Sequence, residues 1–167
     1  MLCEYFTGSS EFEKRGLSLK KGILLWGPIG CGKTFIQSLF SQNQVQSFKI
    51  ISCRSVGYDF SSKGFDSLQK YSSMISIPEN LFGQNTLGYC FDDLGTDEER
   101  KHYGDQINPM MEVILNRYDK IPFTATHITT NLNIDKIEEY YGSRVRNRIR
   151  EMFNIISFDQ QSPSRRK

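Results

Sequence analysis

The stretch GILLWGPIGCGKT, residues 22–34, decides the fold. It reads as a short apolar strand, a glycine-rich turn and the start of a helix. From Gly27 to Thr34 it matches G-x4-G-K-[ST] in the strand–loop–helix context that a phosphate-binding loop requires. The glycines let backbone N–H groups converge on phosphate oxygens, including at dihedrals that a Cβ would oppose. The helix start adds a favourable dipole for an anion. Lys33 is expected to reach the β- and γ-phosphates, and the Thr34 hydroxyl to ligate Mg²⁺. The expected nucleotide-contacting set is Gly27, Pro28, Gly30, Cys31, Gly32, Lys33, Thr34 and Phe35, with ATP and Mg²⁺ as cofactors. Cys31 sits where a helix N-terminus would lower a thiol pKa, although it also occupies a variable position of the motif.

Downstream, YCFDDLG ends an apolar run in two carboxylates, Asp92 and Asp93. A strand that delivers acids to a nucleotide has this form. Asp92 is expected to hold Mg²⁺ together with Thr34, and Asp93 to orient or deprotonate the attacking water. Asp93 also reads as the cap of a turn before Gly95, and Asp97 to Glu99 as surface charge. The next apolar run ends in THITTNL. Asn131 is the candidate for contact with the γ-phosphate or the lytic water, with Thr129 and Thr130 as alternatives and a plain helix cap as the competing reading.

In YGSRVRNRIREMF, Ser143 reads as an N-cap, and Val145, Ile149 and Met152 form an apolar stripe at helical spacing. Arg144 and Arg148 lie along one edge of that stripe, with Arg146 and Arg150 on the other. Such arginines can act as a finger into a neighbour's nucleotide or hold DNA phosphates.

Five short apolar runs, 22–26, 48–52, 87–91, 123–129 and 154–158, alternate with helix-length segments at 33–41, 65–73, 106–118, 134–140 and 143–152. Nearly continuous apolar strands imply a sheet covered on both faces by helical crossovers, hence a three-layer α/β domain. Residues 59–64 and 76–83 read as loops. The expected organisation is one core over 1–160 and a disordered basic tail over 161–167.

The totals agree with a single domain: 167 residues, 38% hydrophobic and 24% charged. No apolar run is long enough for a membrane span. The four cysteines are scattered with no CxxC pair, and His102 and His127 are far apart, which argues against zinc and against a disulfide framework. A reduced, cytoplasmic protein is the simplest reading. The net charge of +2 is weak, but residues 92–99 are acidic while Arg144–Arg150 and Arg165–Lys167 are basic. That polarity suits DNA, contact between copies, or a solvated face. Tyr58, Phe60 and Phe65 near Arg54 and Lys63 interleave aromatic and basic groups in a way that can stack single-stranded DNA. They also read as packing aromatics.

With these motifs in place, the chain resembles the AAA+ ATPases of the DnaC/IstB-like group, bacterial helicase loaders and transposition helper ATPases. The motifs that carry the resemblance are GILLWGPIGCGKT, YCFDDLG, HITTNL and YGSRVRNRI, spread over residues 16–158. The resemblance implies a five-stranded parallel sheet in the order 5-1-4-3-2, with the Asn131 strand between those of Lys33 and Asp92. It implies Asp-Asp as the usual ending of the acidic strand, and an arginine finger that maps to Arg148, with Arg144 as the alternative and Arg165 or Arg166 as a further nucleotide contact. It implies self-association through the finger, and a replicative helicase, a transposase or single-stranded DNA as partners. Two departures stand out: only 26 residues precede Gly27, leaving no room for a separate N-terminal partner domain, and the helical lid after the sheet is reduced or absent.

The expected function is an ATP-binding, slowly hydrolysing AAA+ protein that couples nucleotide state to assembly. A nucleotide-gated adaptor with negligible turnover is the alternative. A small-molecule P-loop kinase is a third reading, weakened because neither an arginine-bearing lid nor an acceptor pocket is identifiable.

Overall fold

Alternation along the strands separates two cores. In β1 (Gly22–Trp26), Ile23 and Leu25 are buried on one face and Leu24 on the other, as the two-residue period of a strand requires. The computed structural model describes residues 1–97, 100–102, 105–159, 161, 163 and 164, and only the backbone at 100–102 and 105–106. In chain order its elements are α1 (Leu2–Phe6), β1, α2 (Lys33–Leu39), β2 (Phe48–Ser52), α3 (Cys53–Lys63), α4 (Phe65–Tyr71), β3 (Ile75–Ser76), β4 (Thr86–Leu94), β5 (Arg100–His102), β6 (Asp105–Ile107), α5 (Pro109–Lys120), β7 (Thr126–Thr130), α6 (Ile134–Met152) and β8 (Phe153–Ser157).

The main sheet runs β2-β4-β7-β1-β8, every pair along that path parallel, and β3 adds to β4 antiparallel. The expectation of five parallel strands therefore needs correction. The sheet has six strands and is mixed, and β3 with the separate β5–β6 hairpin displaces the chain-order numbers. Taken alone, the five parallel strands stand 5-1-4-3-2. Because β7 pairs with both β1 and β4, its end lies between the phosphate loop and the acids.

One face of the sheet packs against α3, α4, α5 and α6 through Leu24, Tyr89, Phe91, Ile128 and the helices' buried side chains. The other packs against α1 and α2 through Ile23, Leu25, Cys90, Tyr5, Phe6 and Phe12. This is the three-layer arrangement, with helices burying one stripe each against the sheet.

Several boundaries move. Residues 59–63, loop-like in sequence, belong to α3, where Ser52 caps the helix by accepting from the Ser55 amide at 3.1 Å. Cys53, Val56 and Phe60 line its buried side. Phe60 is therefore a core residue and not a DNA-stacking one, while Tyr58 and Phe65 are exposed. The two helices expected over 134–152 form one element, interrupted at Gly142 (φ 84°, ψ 166°), and its cap is Asn133, which accepts from the Lys136 amide at 2.8 Å. Asn108 caps α5 ahead of Pro109 at the first turn. Among the described residues no helix is long and apolar enough to cross a membrane.

Candidate functional site

The carboxyl ends of β1, β4 and β7 open onto a cleft of about 680 Å³ lined by Gly30, Gly32, Lys33, Thr34, Phe35, Asp92, Asp93 and Asn131. Ligands of open α/β sheets bind at such strand ends, and the volume suits a nucleotide-sized molecule. Gly30 (φ 82°) and Gly32 (φ 100°) adopt left-handed backbone that a side chain would oppose, and this bends the chain from β1 into α2.

Lys33 is buried at the base of the loop. Its Nζ donates to the carbonyls of Gly27 (2.8 Å) and Pro28 (2.9 Å) and to Asn131 Oδ1 (2.6 Å). Gly27 and Pro28 thus contribute backbone oxygens to Lys33 and do not line the cleft, and the Cys31 thiol is buried against the loop. Phe35 reaches the cleft with its ring largely exposed. Asn131 does not cap a helix: that place is held by Asn133, which leaves the Asn131 amide facing Lys33.

Thr34 Oγ1 donates to Asp92 Oδ1 at 2.8 Å, bringing together the hydroxyl and carboxylate named as metal ligands. Thr129, buried on β7, donates to the same Asp92 oxygen at 2.6 Å and accepts from the Asp93 amide at 2.9 Å. Asp93 has φ 56°, the one positive φ at a described residue other than glycine. Such strain clusters at functional sites. Beneath the acids, burial pushes the Cys53 and Cys90 thiols well above their ordinary pKa, and nearby aspartates push the same way. Neither is therefore a reactive thiolate.

The donor set fits the expected cofactors. Two hard oxygens, a hydroxyl and a carboxylate, meet at hydrogen-bonding distance, as suits Mg²⁺. An ammonium sits among carbonyl and amide oxygens beside a left-handed glycine turn, as suits phosphate.

Two residues carry more than their sequence signal suggested. Asp97, read as surface charge, is fully buried; Glu98 and Glu99 lie outside the described residues. Tyr141 donates to its carboxylate, the Gly95 amide reaches both groups, and Tyr140 donates to the Asp97 carbonyl at 3.0 Å. The spacing Asp-x3-Asp after a strand resembles any charged turn, so only the tertiary partner distinguishes it.

The arginines stand apart from the cleft. Arg148 stacks 3.8 Å from the Tyr118 ring centroid and approaches Glu151 at 3.6 Å. Arg146 pairs with Glu138 at 3.1 Å. Arg144 is exposed and forms no ion pair with another described residue. At the carboxyl end, Phe158 donates its amide to the Trp26 carbonyl at 2.7 Å, and Ser164, in the segment expected to be a loose tail, packs directly on Gly30 of the phosphate loop. Arg165, Arg166 and Lys167 lie outside the described residues.

Among solved structures, the fold matches a crystal structure of the DnaC helicase loader, with a TM-score of 0.59 and 18% identity, covering 84% of this chain and 79% of that one. At that identity the likeness is one of fold, and it is DnaC-like. No family model matches the chain, and no curated protein sequence does either.

Proposed function

We propose that this DnaC-like chain binds ATP with Mg²⁺ and hydrolyses it slowly, and that nucleotide state governs its self-assembly and its engagement of a DNA-replication or transposition partner on single-stranded DNA. The observation that carries the reading is the meeting of three separate strand ends in one cleft: Lys33 on Asn131, and Thr34 on Asp92.

The geometry supports a role for each residue. Lys33 supplies a positive charge to phosphate oxygens, and the Lys33–Asn131 hydrogen bond supports contact of Asn131 with the terminal phosphate. Thr34 and Asp92 would hold the metal, which when bound shields charge on the phosphates. Asp93, which lines the cleft, is the group that accepts a proton from water.

Among the described residues no arginine lines the cleft. An arginine of α6 from a neighbouring copy would complete it, which makes turnover depend on assembly. Arg144 is presented to solvent for that purpose, whereas Arg148 must first leave Tyr118. The same observation favours a second reading, a nucleotide-gated adaptor whose isolated chain has negligible turnover.

Nucleotide titration of the wild type and Lys33→Ala tests the core of the proposal: ATP affinity should be lost in the variant. Equal affinity in both would sink the assignment. Phosphate release measured across a protein concentration series, with and without single-stranded DNA, then separates the two readings, since only the hydrolase shows turnover that rises with assembly.

A further inference from the structure

We propose that Thr129 is a positioning residue that sets both acids of the site through a single hydroxyl. The proposal rests on the nucleotide-binding reading above and adds to it a specific determinant of magnesium use.

A hydroxyl has one proton to donate and lone pairs to accept with. The Thr129 proton is committed to Asp92, whose Oδ1 lies 2.6 Å away and has no proton of its own when ionised. The Asp93 amide, 2.9 Å away, donates to the same Thr129 oxygen. The two bonds therefore run in one direction, from the Asp93 amide through Thr129 to the Asp92 carboxylate.

The local backbone explains the need for this relay. Strands β4 and β7 pair regularly from Tyr89 to Phe91, then shift register before Leu94 and Thr130. A bulge of this kind leaves the extra residues without ladder partners and re-aims their side chains. Two consecutive threonines of β7 take over: Thr129 receives the Asp93 amide, while Thr130 donates to the Leu94 carbonyl at 2.7 Å and accepts from the Leu132 amide at 3.0 Å. The Thr129 bond thus helps to hold the left-handed turn that points Asp93 into the cleft.

The same hydroxyl holds Asp92. Its Oδ1 receives Thr34 from α2 and Thr129 from β7. Thr34 can turn its oxygen towards a cation without freeing the carboxylate, because Thr129 retains its own bond. Groups that orient a metal-side carboxylate in this way characteristically matter about 10–100-fold in metal affinity or activity.

The experiment compares wild type, Thr129→Val and Thr129→Ser, measuring ATP affinity in EDTA and across a magnesium titration, with thermal unfolding as a fold check. Valine removes both bonds at nearly constant shape, and serine keeps them. Thr129→Val is expected to bind ATP in EDTA as the wild type does and to need roughly 10-fold more magnesium for the same gain in affinity. Thr129→Ser is expected to fall within a few-fold of wild type. A valine variant with the wild-type magnesium dependence overturns the proposal, as does a serine variant as impaired as valine. Where valine does not fold, Thr129→Ala takes its place in the same comparison. A wild type that binds no ATP overturns the nucleotide reading and this inference with it, whereas normal wild-type magnesium dependence shared by all variants overturns only the role of Thr129.

Discussion

The buried carboxylate of Asp97, just beyond β4, accepts a hydrogen bond from the hydroxyl of Tyr141 on α6. The pair ties the turn that follows Asp92 and Asp93 to the residue immediately before the Gly142 break, where the arginine-bearing half of α6 begins. Burial, with Asp97 adding to it, raises the Tyr141 pKa far above the ordinary phenol value, so the proton stays on the tyrosine. Tyr141→Phe removes the donor and leaves the buried carboxylate with the Gly95 amide alone at that oxygen. A loss of roughly 1–3 kcal/mol is expected, read as a lower urea midpoint. An unchanged midpoint would contradict the account.

The parts of this fold legible in the sequence are those fixed by local rules. The phosphate loop, the five parallel strands and the amphipathic stripe of Val145, Ile149 and Met152 depend on glycine placement and on apolar periodicity. What stayed hidden depends on distant partners. In α3, Gly57 and the run Asp59 to Gly64 have turn-like composition, but burial of Cys53, Val56 and Phe60 outweighs it. Asp97 looks like any acid beside Glu98 until Tyr141, far along the chain, closes over it. Thr129 could be named only as one of three polar residues at a strand end, because the β-bulge that defines its task is a property of two strands together.

Arg117 is fully buried in α5, with no carboxylate partner among the described residues. Its guanidinium donates to the carbonyls of Tyr71, Ser73 and Ala125 and to the Thr126 hydroxyl, over the rings of Tyr89 and Phe91. Burial lowers its pKa to about 10, so it stays charged at neutral pH. Arg117→Met would leave several buried acceptors unpaired, with an expected loss of about 3 kcal/mol or more. Arg117→Lys should not restore it, since an ammonium cannot span that fork. Both are checked by chemical denaturation, and full rescue by lysine would refute the geometric argument.

His127 gives the fold a sensitivity to acid. Its Nδ1 accepts from the Ile23 amide at 3.1 Å, and its ring lies among Tyr5, Phe6 and Phe48. Burial, with Arg117 adding to it, lowers its pKa from 6.5 to about 3. Between those values the unfolded chain binds a proton that the folded chain does not. The stability contribution is therefore complete above about pH 6.5 and is lost as pH falls toward 3, at a slope of up to about 1.4 kcal/mol per pH unit. Unfolding free energy measured from pH 7 to 4 should fall more steeply for wild type than for His127→Gln. Parallel curves would show that another group carries the effect.

The last prediction separates the two arginines. Arg148 is stacked on Tyr118, whose hydroxyl donates to Glu151 at 2.5 Å while Glu151 also faces the guanidinium. An arginine so engaged contributes to packing between α5 and α6, and removing it should cost about 1 kcal/mol of stability. Arg144 has no such contacts with the described residues and lies one residue beyond the Ser143 that restarts the helix after Gly142. If neighbouring copies complete the cleft, Arg144→Ala should leave thermal stability and ATP affinity near wild type while reducing assembly-dependent turnover by as much as ~10³-fold. Arg148→Ala should lower the unfolding midpoint and affect turnover less. Mixing Arg144→Ala with a Lys33→Ala chain supplies the decisive measurement. Each variant is inactive alone, but a mixed interface pairs an intact cleft with an intact arginine, so turnover should return on mixing. If none returns, Arg144 does not act across the interface, and the arginine role passes to Arg148 or disappears.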